Sequence, residues 1–501
     1  MSKPNVFFIM TDQHRWDCIG RWNEQIKTPA IDSLADEGII FKQTVCQAPM
    51  CVPSRNSLMF GLYPSQLGVR NNYCGINDEA KLPSKPLPQI LRDEGYLCAG
   101  FGKTHWGHSR GHAEPSTRGF EVRADGQDRE SGMYEAGAAI MGDEDPEGLA
   151  AYYAETSGFG VGEEASGGYA GCVSRLPPEH HRDGFIHKKC MEFLEAPPAD
   201  RPLFLYLSFI KPHPGFNIPP EFEALYDIGS IPDMEAPPWE GDSCTHLGAL
   251  TEAGDEMRRM NEERRDWWGR LSALERRRTR LRYWANCSFM DHFIGSVLDK
   301  ARSKGLLDNA LILFCSDHGD MLGERDGRFA KYCLFESSVR VPLILSGSVV
   351  PQEKKGTVDD RPAELIDIIP TVCAAAGIRH DPRLPGLDLL SGRRRAGAFS
   401  ELHGYGSEER RTAPAWMWRT EDYKLILFRR GSVAGDTPPM CELYDLRRDP
   451  HERVNLYADL QYQAVKAEMM EGLLSHIATA YAKGPALWDY GGLAILGMPG
   501  I

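Results

Sequence analysis

The sequence predicts an α/β fold with one large domain and a smaller one. Short apolar runs of the length of buried strands recur along the chain, and helical patterns lie between several of them. These runs cover residues 6–10, 39–45, 96–101, 203–209, 311–315 and 341–345. A chain of 501 residues is too long for one modest core, so a second, smaller domain is expected.

The composition is typical of a globular protein without nucleic acid as a partner. Hydrophobic residues make up 42% of the chain and charged residues 26%, which are ordinary values. The formal net charge is −14 and the pI is about 5.6, which argues against nucleic-acid binding. An anionic substrate would therefore need a local cluster of Lys, Arg and His.

The N-terminus and the cysteines favour a cytoplasmic location. Residues 1–5 lead directly into the first apolar run without the shape of a signal peptide, and no run approaches the ~20 apolar residues of a membrane helix. The thirteen cysteines are odd in number and contain no Cys-x-x-Cys pair, which is typical of free thiols in a reducing compartment. We expect no membrane association.

Several predicted strands end on side chains that can do chemistry. Asp12 and Gln13 follow the first strand, and in an open α/β sheet ligands bind beyond the carboxyl ends of the strands. The plain alternative for Asp12 is a helix cap. The later strands end on Lys103 and His105, on His213, and on Asp317 and His318, and Lys331 follows the last of these. An Asp next to a His suits a divalent metal.

Residues 49–61 form the segment around which these strand ends are expected to gather. Cys51 precedes Pro53, which suits the first turn of a helix, and Gly61 suits the end of that helix. Free backbone N–H groups and the helix dipole at Cys51 would attract an anion. Arg55, one turn further on, adds a planar cationic group for oxyanions. The alternative is a buried structural cysteine beside a helix cap.

At this point the chain resembles the sulfatase family of the alkaline-phosphatase superfamily. The family pattern Cys-x-Pro-Ser-Arg, followed by Leu and Gly, is matched from Cys51 to Gly61, and the polar strand ends match family segments in the same order. Two positions depart from the pattern. Phe60 stands where Thr is usual, and Gln13 replaces the second residue of an Asp-Asp pair, as in the related phosphonate monoester hydrolases.

The resemblance implies an alkaline-phosphatase-like architecture. This is a large mixed, mostly parallel sheet sandwiched by helices, with a smaller C-terminal α+β subdomain. We place the catalytic domain at residues 1–392, with loop-rich insertions at about 123–172 and 226–282 that have no family counterpart. Residues 393–501 would form the subdomain, with an antiparallel sheet, a helix and an apolar tail.

The resemblance also implies the site residues and the cofactors. One divalent metal ion, Ca²⁺ with Mn²⁺ as the alternative, would be bound by Asp12, Gln13, Cys51, Asp317 and His318. A maturation enzyme would oxidise Cys51 to formylglycine, whose hydrate attacks the sulfate ester and forms a covalent sulfo-enzyme. The catalytic set would be Cys51, Arg55, Lys103, His105, His213 and Lys331. In this set His213 assists the leaving group, and His105 takes the proton that allows sulfate to leave.

Three functions remain open from the sequence. The first is hydrolysis of small-molecule sulfate esters, which Lys103 and His105 favour. The second is hydrolysis of phosphonate monoesters or phosphodiesters, which Gln13 favours. The third is non-catalytic anion binding with Cys51 as a thiol.

Three further segments carry structural expectations. The Arg-rich residues 262–284 predict a solvated or inter-subunit helix, and residues 362–376 predict a helix. The apolar tail, residues 488–501, is a candidate contact for a homo-oligomer.

Overall fold

The computed structural model describes residues 2–72, 74–76, 82–106, 118–124, 146–147, 170–197, 200–233, 255–403, 414–428 and 440–483. The strands are β1 Asn5–Asp12, β2 Gly38–Val45, β3 Leu97–Gly102, β4 Val122–Ala124, β5 Leu203–Pro212, β6 Ala310–Ser316, β7 Leu343–Gly347, β8 Thr357–Glu364, β9 Ala398–Leu402, β10 Ala415–Arg419, β11 Tyr423–Phe428 and β12 Met440–Asp445.

The α-helices are α1 Pro29–Asp36, α2 Cys51–Phe60, α3 Pro64–Leu67, α4 Leu87–Asp93, α5 Arg182–Glu195, α6 Pro220–Glu223, α7 Asp255–Arg270, α8 Ala273–Ser303, α9 Glu324–Gly327, α10 Glu336–Val339, α11 Ile368–Ala375 and α12 Gln463–Lys483. Short 3₁₀ turns lie at Pro178–His180, Gln352–Lys354, Leu365–Asp367 and Leu460–Tyr462.

Eight of the described strands form one large sheet in the order β4-β3-β5-β1-β6-β7-β2-β8. Within it β7 runs antiparallel to both of its neighbours, β6 and β2, whereas the other pairings are parallel. A parallel sheet requires crossover connections that cover its faces with helices. The observed strand order and directions confirm the large mixed, mostly parallel sheet that we predicted.

The two faces of the sheet carry separate apolar cores because side chains alternate along a strand. In β1, Val6, Phe8 and Met10 belong to one core, and Phe7 and Ile9 belong to the other. Buried side chains of α8 pack into the core of Phe7 and Ile9, and those of α2 and α11 pack into the core of Phe8. The central strand β1 is thus buried on both faces, which fixes the position of the residues at its end.

A second sheet of four antiparallel strands, in the order β12-β11-β10-β9, lies in the C-terminal part. Helix α12 packs on it through Met469 and Leu473, which join Trp418 and Leu425 in a third apolar cluster. This is the smaller α+β unit that we predicted. The boundary between residues 392 and 393 stays a prediction.

The predicted helix at residues 362–376 is wrong at its start. Strand β8 runs to Glu364 and pairs in parallel with β2, and the α-helix begins only at Ile368. Pro362 misled the prediction because proline often opens a helix. Here it lies in an edge strand, where a missing N–H group is tolerated.

The Arg-rich segment is less exposed than we predicted. It forms the end of α7 and the start of α8, which begins at the cap of Ser272. Trp267, Trp268 and Trp284 are buried. The guanidinium groups of two arginines lie over these rings, Arg276 at 5.3 Å from Trp268 and Arg280 at 5.2 Å from Trp284. Arginines that cover aromatic rings look solvated in the sequence but belong to a packed surface.

Two sequence predictions lie mostly or wholly outside the described residues. They are the insertion at 123–172, of which 125–145 and 148–169 are not described, and the tail at 488–501. In the part of the chain that is described, the structure contains no helix long and apolar enough to cross a membrane.

The close approach of β3 to β5 predicts that Gly102 is indispensable. Its φ is +85°, and a Cβ atom would lie well inside the van der Waals distance of the Ser208 carbonyl oxygen. Gly95 has a similar φ of +89° but open space around it. Gly95→Ala should cost about 1 kcal/mol of unfolding free energy, the left-handed backbone penalty. Gly102→Ala should cost about 3 kcal/mol or more, because overpacking is added to that penalty.

Urea unfolding of the two variants measures this difference. Equal losses of unfolding free energy would show that the contact between the strands does not constrain residue 102.

Candidate active site

The predicted site residues gather at one edge of the large sheet. Strands β3, β5, β1 and β6 are neighbours, and the polar residues follow their carboxyl ends. Asp12 ends β1, Lys103 follows β3, His213 follows β5, and Asp317 follows β6. Helix α2 begins at Cys51, with Met50 in an extended conformation before it. The parallel sheet therefore brings together residues that are more than 300 positions apart in the chain.

Arg55 lies fully buried behind the first turn of α2. Its Nε atom donates to Asp317 Oδ2 at 2.7 Å, and its Nη2 atom donates to Asp12 Oδ2 at 3.0 Å. Its Nη1 atom donates to the carbonyl oxygen of Lys103 at 2.7 Å and to Ser208 Oγ at 3.0 Å. We expected Arg55 to bind an oxyanion directly. That role stays a prediction, and the observed contacts make Arg55 the link between the two carboxylates.

Burial and ion pairing decide the charge states of this group. Burial alone lowers the pKa of Arg55, but Asp317 and Asp12 raise it more, so that it lies above its ordinary value. Burial and Cys51 raise the pKa of Asp12, but Lys103 and Arg55 lower it further, and the net shift is downward. Both partners are therefore charged at neutral pH.

Four side chains offer ligand atoms for a metal ion. The ligand atoms of Asp12, Cys51, Asp317 and His318 all lie within 4.8 Å of one another, and all four residues are buried. His318 Nδ1 lies 2.9 Å from the carbonyl oxygen of Gly319. Because a carbonyl oxygen only accepts, Nδ1 carries a hydrogen, and Nε2, 3.3 Å from Cys51 Sγ, is the ring atom that faces the cluster. Two carboxylates and an imidazole fit a divalent cation.

Gln13 adjoins this cluster and has a left-handed backbone with φ of 64°. Its backbone N–H donates to Asp317 Oδ1 at 3.0 Å, and its Oε1 atom accepts from Lys331 Nζ at 2.9 Å. Its Nε2 atom donates to Asp320, a buried residue that the sequence analysis did not assign. The signal was available, because Asp320 comes two residues after His318 at the same strand end. The sequence alone did not distinguish this second acidic residue from an ordinary loop residue.

Two lysines bring positive charge to Cys51. Lys331 Nζ lies 2.8 Å from Cys51 Sγ, and Lys103 Nζ pairs with Asp12 Oδ2. Burial alone would raise the pKa of the Cys51 thiol, but Lys103, Lys331 and His318 lower it well below its ordinary value. Residue 51 therefore occupies a buried pocket that favours a negative group.

Cys51 influences the pKa of both predicted histidines. Burial lowers the pKa of His105, and Cys51 opposes the shift. Burial and the charge of Lys331 lower the pKa of His213 to about 4, against the effect of Cys51. Each imidazole is therefore neutral at physiological pH, the form that can accept a proton.

Comparison with known proteins agrees with this arrangement. Residues 4–378 match the sequence model of the family described as Sulfatase. Residues 323–479 match a second model, described as N-sulphoglucosamine sulphohydrolase, C-terminal.

Individual relatives are similar along nearly the whole chain. A protein named sulfatase from Formosa agariphila is 26% identical over 98% of this chain and 88% of the relative. An arylsulfatase from Clostridium perfringens is 28% identical over 92% of each chain. The crystal structure of the phosphonate monoester hydrolase of Agrobacterium radiobacter superposes with a TM-score of 0.77 at 24% identity, and the match covers 95% of this chain and 96% of that chain. At this identity the last similarity establishes the fold alone.

The family match spans most of the chain and includes every strand of the large sheet and every predicted site residue. The chain therefore belongs to the sulfatase family of sulfuric ester hydrolases, within the alkaline phosphatase superfamily.

Proposed function

We propose that this protein hydrolyses small-molecule sulfate esters to an alcohol and inorganic sulfate, using a divalent metal ion and a formylglycine made from Cys51. The observation that carries the proposal is the position of Cys51. It begins a buried helix, next to Asp12, Asp317 and His318 and within reach of Lys331. The family membership supports the class of ester.

The metal ion would be Ca²⁺, with Mn²⁺ as the alternative. Its ligands would be Asp12, Asp317, His318, the side chain of residue 51 and the amide oxygen of Gln13. Oxygen ligands of this kind are those that Ca²⁺ prefers. When bound, the ion supplies Lewis acidity that polarises a sulfate oxygen and lowers the pKa of a nearby hydroxyl group.

The chemistry of release explains why Cys51 is proposed to be modified. A thiolate can attack sulfur, but the product would be a thiosulfate ester with no internal route to release. Hydrated formylglycine supplies one hydroxyl for the attack, giving a covalent sulfo-enzyme, and a second whose deprotonation restores the aldehyde and expels sulfate. The hydrate would form at the side chain of residue 51, whose Sγ atom lies 2.8 Å from Lys331 Nζ.

The surrounding residues have separate roles in the proposal. Lys103 and Lys331 bind the sulfate oxygens and offset charge in a pocket that excludes water. Neutral His213 contacts the ester oxygen, and protonated Lys331 beside it supplies positive charge to the leaving alkoxide. Neutral His105 takes the proton of the second hydroxyl. Arg55 holds Asp12 and Asp317 in place.

The partners follow from the same proposal. A maturation enzyme that generates formylglycine would read the segment from Cys51 to Arg55. Assembly through the C-terminal tail and a cytoplasmic location stay predictions from the sequence.

The proposed modification predicts a specific mass. Trypsin should release residues 43–55 as one peptide that contains both Cys46 and Cys51. Mass spectrometry of active protein should find formylglycine at residue 51 and a thiol at Cys46, which is also buried and serves as the internal control.

The matching variants test the second hydroxyl. Cys51→Ala should fold but lose turnover by about 10⁴-fold or more, the scale on which loss of a nucleophile acts. Cys51→Ser should also be severely impaired, since its single hydroxyl can be sulfated but not released. Active protein in which residue 51 is only unmodified cysteine would falsify this mechanism.

The presence of both Lys103 and His105 predicts a preference for sulfate esters. With esters of one chromogenic alcohol, kcat/KM for the sulfate monoester should exceed that for the phosphonate monoester by about tenfold or more, which is about 1.4 kcal/mol of transition-state stabilisation.

The competing prediction rests on Gln13, which favours a phosphonate monoester or phosphodiester. A higher kcat/KM for either of those esters in protein with confirmed formylglycine would reverse the assignment.

A further inference from the structure

We infer that Asp320 is a positioning residue that turns the amide oxygen of Gln13, and not its nitrogen, toward the metal site. The inference rests on the proposed function, because it concerns a ligand proposed there. The observation behind it is a chain of buried contacts that runs from Asp320 through Gln13 to Lys331 and Cys51.

Asp320 is held firmly by its own loop. It is fully buried, and its Oδ1 atom accepts from the backbone N–H groups of Leu322 at 2.5 Å and Ala330 at 3.1 Å. These two bonds leave Oδ2 pointed at Nε2 of Gln13. A carboxylate can only accept, so the group it contacts must be the donating end of the amide.

The other end of the amide meets a group that can only donate. Lys331 Nζ lies 2.9 Å from Gln13 Oε1 and 2.8 Å from Cys51 Sγ. A flipped amide would place its NH₂ group against the ammonium of Lys331 and its oxygen against the carboxylate of Asp320. Both contacts would be repulsive. Asp320 and Lys331 therefore select one orientation, in which Oε1 faces the side of Cys51.

The backbone of Gln13 is held by hydrogen bonds on both sides, so only its side-chain amide can change orientation. Its N–H donates to Asp317 at 3.0 Å, and its carbonyl oxygen accepts from Tyr283 at 2.6 Å. These two bonds fix the main chain, so that only the orientation of the side-chain amide remains variable. The contact with Asp320 determines that orientation.

Asp320 also compensates for a missing charge. Gln13 stands where a second aspartate is usual, so the site has one negative charge fewer at that position. A carboxylate bonded to the amide nitrogen draws positive charge there and leaves the amide oxygen more negative. Partners of this kind strengthen a ligand through the bond that orients it. The negative charge therefore lies on Asp320, which contacts the proposed ligand Gln13 and not the metal ion.

Calcium titration of the full-length chain after removal of metal tests the inference. The state of residue 51 is made equal in every preparation and checked by mass spectrometry. Asp320→Asn keeps the shape and can still accept from Leu322 and Ala330, but it presents an NH₂ group to Gln13. We expect the affinity for Ca²⁺ to fall by about 10- to 100-fold, the range for loss of such a partner.

A double variant separates positioning from a general loss of structure. Gln13→Glu keeps the length of the side chain, sets two carboxylates against each other and should weaken Ca²⁺ binding. Gln13→Glu combined with Asp320→Asn places an NH₂ donor against the new carboxylate, and it should restore the affinity for Ca²⁺ to within about twofold of the unaltered protein or above it. Asp291→Asn is the matched control, because Asp291 is also buried and accepts from two backbone N–H groups, at Ala30 and Ile31. It should leave the affinity unchanged.

Each outcome decides. Ca²⁺ binding that is unchanged in Asp320→Asn, or a double variant no better than Gln13→Glu alone, would overturn the inference and leave the proposed function intact. If Asp320→Asn does not fold, Gln13→Glu decides alone, because unchanged Ca²⁺ affinity in that variant would overturn the inference. Failure of the unaltered protein to bind any divalent ion would overturn both.

Discussion

The buried ion pairs of Arg55 with Asp12 and Asp317 are the interaction on which the rest of the site depends. Three charged groups lie buried here, and leaving any one of them unpaired would cost several kcal/mol. The planar guanidinium satisfies both carboxylates at once and, through the Lys103 carbonyl group, joins a third strand end. Because Arg55 belongs to the helix that begins at Cys51, the same contacts set the distance between residue 51 and the two carboxylates. The same ion pairs therefore position residue 51 and neutralise the buried carboxylates.

The pairing of buried carboxylates with buried cations explains how an acidic protein can bind an anionic ester. The chain has a net charge of −14, yet two lysines bring positive charge to the pocket of Cys51. Lys103 does so from the end of β3, and Lys331 from the segment between α9 and α10. Asp12 and Asp317 keep these cations and Arg55 buried, and a divalent ion would add further positive charge. Exposed acidic residues then have little influence, since screening weakens them more than the buried pairs. Local composition, and not the overall charge, sets the affinity for an anion.

Much of the fold and site could be predicted because apolar runs and the polar residues after them are local signals. Parallel strands bring those residues to one edge, so the order of the motifs was sufficient to place Asp12, Lys103 and Asp317 together. Other features depend on contacts that sequence periodicity does not contain. The side chain of Arg55 turns toward carboxylates from two distant strands, and Asp320 acts through an amide. The strand ending at Glu364 looked helical because its pairing with β2 cannot be read from its own residues.

The most direct test of the account is the Ca²⁺ affinity of Arg55→Lys, compared with that of Arg395→Lys. The side chain of Arg395 is largely buried and also pairs with two carboxylates, those of Glu364 and Asp367, but it lies outside the site. Metal binding is the proper readout, because Arg55 also belongs to the segment that a maturation enzyme would read. A lysine has one nitrogen and cannot span the positions that Arg55 reaches with three separate nitrogens. Arg55→Lys should therefore weaken Ca²⁺ binding by about tenfold or more, while Arg395→Lys leaves it unchanged. Wild-type Ca²⁺ affinity in a folded Arg55→Lys protein would contradict the account.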